Sequence, residues 1–252
     1  TSTDHYYVRV GSTKRRATRE ELYRLFQAGG FIQYDMLGVP GTGLQDLDLF
    51  KISTYFRQVH QMELAELERT IPLERLLINA AILTPGELAP LATVGGLLFF
   101  GKDPQAVLYR SGLVAARFRG LDVTGEILDR REIGGTLPEV IEGALSFARI
   151  HNQSPVRFEG ARHIDQPLYP EAVIREAVIN AVAHRNYSLT GAQIRLFFFD
   201  DRLEVRSPGR LPNTVTLENI RYGVSFIRNQ LIFRFLNNLG YVERLGRGIP
   251  MM

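Results

Sequence analysis

Cysteine is absent from all 252 residues, which excludes disulfides, thiolate zinc sites and a cysteine nucleophile and agrees with a reducing compartment. Histidine is scarce. The five present are scattered, so a dedicated metal cage is not expected. No apolar run is long enough to cross a bilayer; the longest, Leu91 to Phe100, is broken by Thr93 and by Gly95 and Gly96. A strong excess of either charge is also missing, since 30 basic against 27 acidic side chains leave a formal +3. That balance neither demands nucleic acid nor excludes it. Together these absences predict a soluble, cytoplasmic protein without a membrane partner. The length allows one large domain or two ordinary ones, with enough core to need no staple. The chain starts without an initiator Met and stops at Met252 without a finished element, so it is expected to be an internal fragment of something longer.

What is present is a series of short α and β signals. Tyr6 to Val10 alternates as a strand does, with a turn at Gly11, and is expected to be an edge whose partners lie outside this sequence. Thr18 to Glu21 has capping-box spacing and predicts a helix through Leu22, Leu25 and Phe26. Lys14, Arg15, Arg16 and Arg19 cluster between the two, as a solvated turn or as a basic knot able to hold phosphates. Gly29 to Gln45 reads as a loop or linker, and helices follow from Asp46, near Leu64 to Leu67 and over Leu73 to Ala80. Gly96 to Lys102 has the spacing of a phosphate-binding loop, but Asp103 stands where Ser or Thr would bind Mg²⁺ and the interior is bulky and apolar. A buried strand from Gly96 to Phe100 is the expectation there, and a helicase or motor ATPase is rejected with the motif.

Further on, strands are expected within Val107 to Phe118 and over Ile127 to Ile133, then a helix from Leu137 to Ile150 with one apolar face. Short strands at Val156 to Phe158 and around Ile164 lead into the helix Pro170 to His184, which organises the rest. Pro170 suits its first position, and Val173, Ala177, Val178, Ala181 and Val182 form an apolar sector. Glu176, Asn180 and His184, at i, i+4 and i+8, form a ridge along the border of that sector. A carboxylate can orient or deprotonate water, and an amide oxygen one turn away can ligate a hard Mg²⁺ that bridges phosphates. The plain alternative is an amphipathic helix whose two polar residues are half-exposed. Gln193 to Phe199 and Arg202 to Arg206 flank Asp200 and Asp201 as a hairpin. Ser207 to Pro212 is a Gly- and Pro-bound turn, residues 213–230 with Arg228 and Asn229 suit a mobile lid, Leu231 to Leu239 is a helix, and Gly246 and Gly248 can offer N–H groups to phosphate.

A Glu-x-x-x-Asn helix, a hairpin, a Gly turn, a lid and a second Gly box follow the order used by the ATPase fold of gyrase, heat-shock chaperones, mismatch-repair proteins and sensor histidine kinases. More closely, residues 175–188, 207–212, 227–229 and 246–250 resemble the C-terminal half of bacterial proteins with a Schlafen-type AlbA domain, RecG-like in their C-terminal region. Thr93 to Pro104 resembles the middle region of that family, and Tyr6 to Leu25 the last strand and helix of its AlbA-type DNA-binding domain. The resemblance implies an α+β fold, a two-layer α/β sandwich of GHKL ATPase type preceded by a small mixed helical and strand region. It implies residues 1–28 as the end of the AlbA-type domain, 29–45 as linker, 46–104 as a helical, winged-helix-like middle region and 105–252 as the ATPase-like domain. Glu176 takes the place of the water-activating base and Asn180 that of the Mg²⁺ ligand. His184, Ser207, Gly209, Arg228, Asn229, Gly246 and Gly248 join Asn180 as nucleotide-binding positions. One departure stands out: where the superfamily places an aspartate that accepts the adenine amino hydrogen, this chain has Ser207, an uncharged and weaker acceptor.

The expectation is a transcriptional regulator whose C-terminal domain binds ATP and Mg²⁺, is at most a weak ATPase, and communicates with a DNA-binding domain. The rival is a non-catalytic scaffold or dimerisation module with a degenerate pocket, which would make a homo-oligomer. A third reading has DNA bound directly through Lys14 to Arg19.

Overall fold

The computed structural model describes residues 6–18, 21–22, 26, 32–153, 157–159, 162–164, 167–210 and 226–242. Strand β1 (Tyr7–Val10) turns at Gly11, whose φ of +62° favours glycine, and pairs antiparallel with β2 (Thr13–Arg16). Two expectations change here. The first strand has its partner within the chain, and Lys14, Arg15 and Arg16 lie on a strand instead of in a turn. The capping box at Thr18 is present, its Oγ1 accepting from Glu21 N at 3.2 Å while Thr18 N donates to Glu21 Oε2 at 2.9 Å. Arg15 pairs with Glu21 at 2.6 Å and holds that carboxyl down at about 2, so part of the basic cluster is already neutralised.

Residues 32–48 carry two short 3-10 turns, Tyr34–Met36 and Leu44–Asp46. Helix α1 (Leu49–His60) starts at Asp48, whose carboxylate accepts from Phe50 N and Lys51 N, and ends at Gln61 in the left-handed region. Two shorter helices follow, α2 (Leu64–Leu67) and α3 (Leu73–Asn79), then a minimal hairpin of β3 (Leu83–Thr84) and β4 (Leu91–Ala92). Residues 94–100, expected as a buried strand from Gly96, form instead a helix, α4 (Val94–Phe100), in which every residue is buried. A run that is apolar on all sides has no period to separate helix from strand. Thr93 decides the matter, since its Oγ1 accepts from Gly96 N at 2.8 Å and starts the turn. A Cβ on Gly96 would lie 2.2 Å from the carbonyl oxygen of Ile82, and one on Gly95 2.7 Å from Leu231, so both glycines permit close packing. The Gly96 amide is thus spent inside the protein, and Asp103 caps the next short helix, α5 (Pro104–Val107). The segment is no phosphate loop.

Strands β5 (Leu113–Phe118) and β6 (Ile127–Ile133) pair antiparallel, and helix α6 (Leu137–His151) follows from the Thr136–Glu139 capping box. A small hairpin of β7 (Arg157–Glu159) and β8 (Arg162–Ile164) precedes α7 (Glu171–Ala183), and β9 (Ile194–Phe198) and β10 (Leu203–Arg206) form the expected hairpin. The sheet runs β10-β9-β5-β6, with β9 parallel to β5 and the other pairs antiparallel. Helices α6 and α7 cover one face, where Leu113, Ala115, Leu196 and Phe198 point, while Ala116, Phe118, Phe197 and Phe199 gather on the other. Strand β6, at one rim, is mostly exposed and carries Asp129, Arg130, Arg131 and Glu132 in sequence.

Helix α8 (Gln230–Asn238) buries Leu231, Ile232, Phe235 and Leu236. The Phe235 ring lies 5.0 Å from that of Phe99 and 5.5 Å from that of Tyr55. One hydrophobic cluster therefore runs from Leu47 of the middle region through the sheet to Leu236. Each such large side chain contributes about 1.5–3 kcal/mol on burial. No helix among the described residues is long and apolar enough to cross a membrane.

Candidate functional site

Helix α7 begins at Glu171, with Pro170 as its cap residue and not its first helical position. Its core stripe is Ile174, Val178, Ala181 and Val182, rotated slightly from the sector expected; Val173 and Ala177 are only half-buried. They share that state with Glu176, Asn180 and His184. The polar ridge and the two small apolar residues beside it thus make a strip that is neither core nor open surface. Along it Asn180 Nδ2 donates to Glu176 Oε1 at 3.0 Å, an orientation assigned from the hydrogen-bond network. The carboxamide spends a proton there, and its Oδ1 is engaged by no described residue.

The turn after β10 closes on the end of this helix. Ser207 Oγ donates to the carbonyl of Ala181 at 2.7 Å, and Asn186 N donates to that of Pro208 at 2.8 Å. The Ser207 proton is therefore committed to the helix, while its oxygen keeps acceptor capacity. Gly209 has φ +127°, and a Cβ there would lie 2.6 Å from Arg228 Nη1 and 3.0 Å from Asn186 Cβ. Arg228 is half-buried against this turn and donates to the carbonyl of Arg210. Asn229 is fully buried, and its Nδ2 donates to the carbonyls of Ala183 at 2.9 Å and Arg185 at 2.8 Å, fastening the end of α7 to the start of α8. The structure thus gathers His184, Ser207, Gly209, Arg228 and Asn229 at the C-terminal end of α7, while Asn180 lies one turn and Glu176 two turns back along the helix. Gly246, Gly248, the last two residues of the expected turn, 211–212, and residues 213–225 of the expected lid lie outside the described residues.

His184 is the titratable group of this site with a resolved shift besides Arg228. Burial first, and then the Arg228 guanidinium, hold its imidazole below the ordinary value of 6.5, so it is neutral near pH 7. The unfolded chain accordingly takes up a proton more readily than the folded one as pH falls through about 6.5. Stability should therefore drop as pH falls through that window, and His184→Gln should flatten the slope. Urea midpoints at pH 7.5 and 5.5 measure it; the same slope in both proteins would put the imidazole in water.

Two buried residues that sequence reasoning passed over lie nearby. Asp35 is fully buried and its Oδ2 accepts from Leu231 N at 2.7 Å and Ile232 N at 3.1 Å, capping α8. Arg185, immediately after His184, is 1% exposed. The partners of Asp35 are far along the chain, whereas Arg185 is held by the nearby carbonyls of Leu189 and Ala192 and by the distant one of Arg110.

A group of three or more metal-ligating His, Cys, Asp or Glu side chains does not occur among the described residues. Mg²⁺ nevertheless fits the donor chemistry at Asn180, because this ion keeps several waters and takes one or two protein oxygens beside substrate phosphates. A neutral amide oxygen that is left unengaged, next to a carboxylate, is such a donor.

Comparison with known proteins bears on the same end of the chain. Residues 191–252 match the family described as "Putative ATP-dependent DNA helicase recG C-terminal". The matched stretch starts after α7, so it contains Ser207, Gly209, Arg228, Asn229, Gly246 and Gly248, whereas Glu176, Asn180 and His184 precede it. The α+β architecture is consistent with an ATPase-like fold, with β9 and β10 of the four-stranded mixed sheet inside the matched stretch and β5 and β6 before it. The chain is also similar to the crystal structure of the DIP2311 protein from Corynebacterium diphtheriae, with a TM-score of 0.61 and 23% identity over 97% of this chain and 47% of that one. It spans about half the length of that protein. None of the curated proteins matches it.

Proposed function

We propose that the C-terminal part of the chain binds a nucleotide, ATP with Mg²⁺, and relays its bound state to a DNA-binding domain as part of a transcriptional regulator. The observation that carries this reading is the Glu176–Asn180 pair on the half-buried strip of α7, beside the Gly209 turn of a segment with an ATPase-like match. Asn180 Oδ1 would hold the metal, which supplies charge neutralisation to the phosphates. Glu176 would orient water. Arg228, which already lies on the Gly209 turn, would supply a guanidinium to phosphate oxygens, and Gly246 and Gly248 would add backbone N–H groups. Neutral His184 leaves room in this cationic corner without adding charge. Ser207 accepts from a base only through an oxygen whose proton is already donated to Ala181, so preference for adenine should be weak. Turnover, if any, is slow.

The helicase word in the family description is not carried over, since the only phosphate-loop spacing in the chain lies in the buried helix α4. DNA contact belongs to an AlbA-type domain, of which residues 1–28 would be the end. Isothermal titration of ATP into the chain with and without Mg²⁺ tests the reading: saturable binding that strengthens with Mg²⁺ is expected, and no heat under either condition overturns it. A second reading, a scaffold or dimerisation module with a degenerate pocket, is favoured by Ser207 and by Arg228 resting on the Gly209 turn. It predicts that absence of binding, together with a dimer in solution.

A further inference from the structure

Arg185 is the largest fully buried side chain among the described residues, and no described carboxylate pairs with it. Its Nη2 donates to the carbonyls of Arg110 at 3.1 Å, Leu189 at 3.2 Å and Ala192 at 2.9 Å. The guanidinium also stacks over the Tyr187 ring, 4.7 Å from its centroid. Carbonyl dipoles and a ring face soften the burial of a cation but leave its charge uncancelled. Moreover, Nε is buried with no hydrogen-bond partner. Buried donors in native proteins are nearly always paired, so this permanently charged group is under-satisfied by the described residues.

Beside it lies a cavity of about 310 Å³, lined by Arg185, Tyr34, Tyr187, Val39, Val107 and Ser111 among others. That is at the lower end of the size usual for small-molecule sites, and like them its wall is mostly apolar and aromatic with few polar groups. The polar groups are informative. Ser111 is 2% exposed, and its Oγ accepts from Gln105 Nε2 at 2.9 Å, which leaves the hydroxyl proton to donate. The guanidinium charge of Arg185 on the cavity lining and the Ser111 hydroxyl proton, on an otherwise apolar wall, suit the oxygens of one negative charge. The aromatic and aliphatic remainder suits a flat or apolar body attached to it. A phosphate with its full hydration shell would have to shed it against valine and tyrosine rings.

We propose that this cavity is a binding site for a small organic carboxylate with a flat or apolar body, held through Arg185. It is separate from the nucleotide site proposed above, whose residues do not line it, although the two share a strut: the backbone carbonyl of Arg185 accepts from Asn229. Benzoate is the probe of choice, with benzamide as its neutral isostere, inorganic phosphate as the compact anion and ATP as competitor.

Ligand-observed NMR on the whole chain is expected to show saturable benzoate binding, at least ~10-fold tighter than benzamide, as charge-assisted bonds exceed neutral ones. Arg185→Met should abolish it but removes a buried, bonded cation and threatens folding. Val39→Phe therefore serves as the second variant: it fills the cavity from another lining position, leaves the guanidinium untouched, and should abolish benzoate binding while the circular dichroism spectrum stays that of the parent. Equal affinity for benzoate and benzamide, benzoate binding that survives in folded Val39→Phe, or displacement of benzoate by ATP would each overturn the proposal. So would binding of phosphate without binding of benzoate. Failure of ATP to bind anywhere leaves this test intact and bears only on the nucleotide reading.

Discussion

Asp35→Ala is expected to cost about 2–4 kcal/mol of stability, visible as a lower urea midpoint with little change in slope. The carboxylate sits 196 residues before Leu231, and its Oδ2 takes two of the free N–H groups in the first turn of α8, those of Leu231 and Ile232. Alanine would leave both donors buried without a partner, which costs more than the bonds themselves contributed. The negative charge at a helix N-terminus is lost as well. Asp35→Asn should cost much less, because its amide oxygen can accept the same two bonds. Burial raises the pKa of Asp35 while the two N–H bonds lower it, with burial the larger effect. The folded chain therefore keeps this proton to higher pH than the unfolded chain does. Sign follows: stability from this group declines as pH rises from the ordinary carboxyl value through the raised one, and the Asp35→Asn chain should lack that decline. Equal midpoints for the parent and Asp35→Ala would mean that the 34–36 turn is not joined to α8.

Asn180→Ala is expected to remove the Mg²⁺-dependent part of ATP affinity, roughly 10- to 100-fold, the size usual when a group that orients a bound metal is lost. Affinity without Mg²⁺ should barely change, since the amide acts through the ion. Glu176→Gln separates the roles of the pair. It keeps a side chain that can bond Asn180 but cannot serve as base, so binding should persist while any turnover disappears. Because Asn180 Nδ2 donates to Glu176 at 3.0 Å, the two changes should be non-additive. Titration of both single variants and the double variant, with and without Mg²⁺, measures this coupling. Loss of affinity equal in both conditions would remove Asn180 from the metal role, and unaltered affinity would remove it from the site.

The legible parts of the fold were those with a local cause. Helix α6 shows its apolar period and capping box, and the β9–β10 hairpin shows its two runs around Asp200 and Asp201. The polar ridge of α7 was also readable, because i, i+4 and i+8 positions share a face wherever the helix is placed. What it faces is set by the turn at Gly209, which only the fold brings to it. Helix α4 was hidden by its own burial, since a uniformly apolar heptad carries no period. The β1–β2 hairpin was missed because Lys14, Arg15 and Arg16 suggested a solvated turn, whereas one left-handed glycine and a free strand edge sufficed to pair them. Asp35 and Arg185 were illegible in principle. Asp35 stands in a mostly apolar stretch read as a loop and caps a helix far along the chain, and Arg185 is enclosed by the turn that follows it together with the distant carbonyl of Arg110.

The rims of the sheet have a further consequence. Among the described residues β6 and β10 are its outer strands, and an open strand is a template on which a foreign strand can grow. Any newcomer to β6 would have to seat itself beside four consecutive ionised groups, Asp129 to Glu132, and one at β10 would meet Glu204 and Arg206. Such borders resist fibrillar growth. Copies of this chain that do associate should consequently meet face to face, leaving the sheet at four strands.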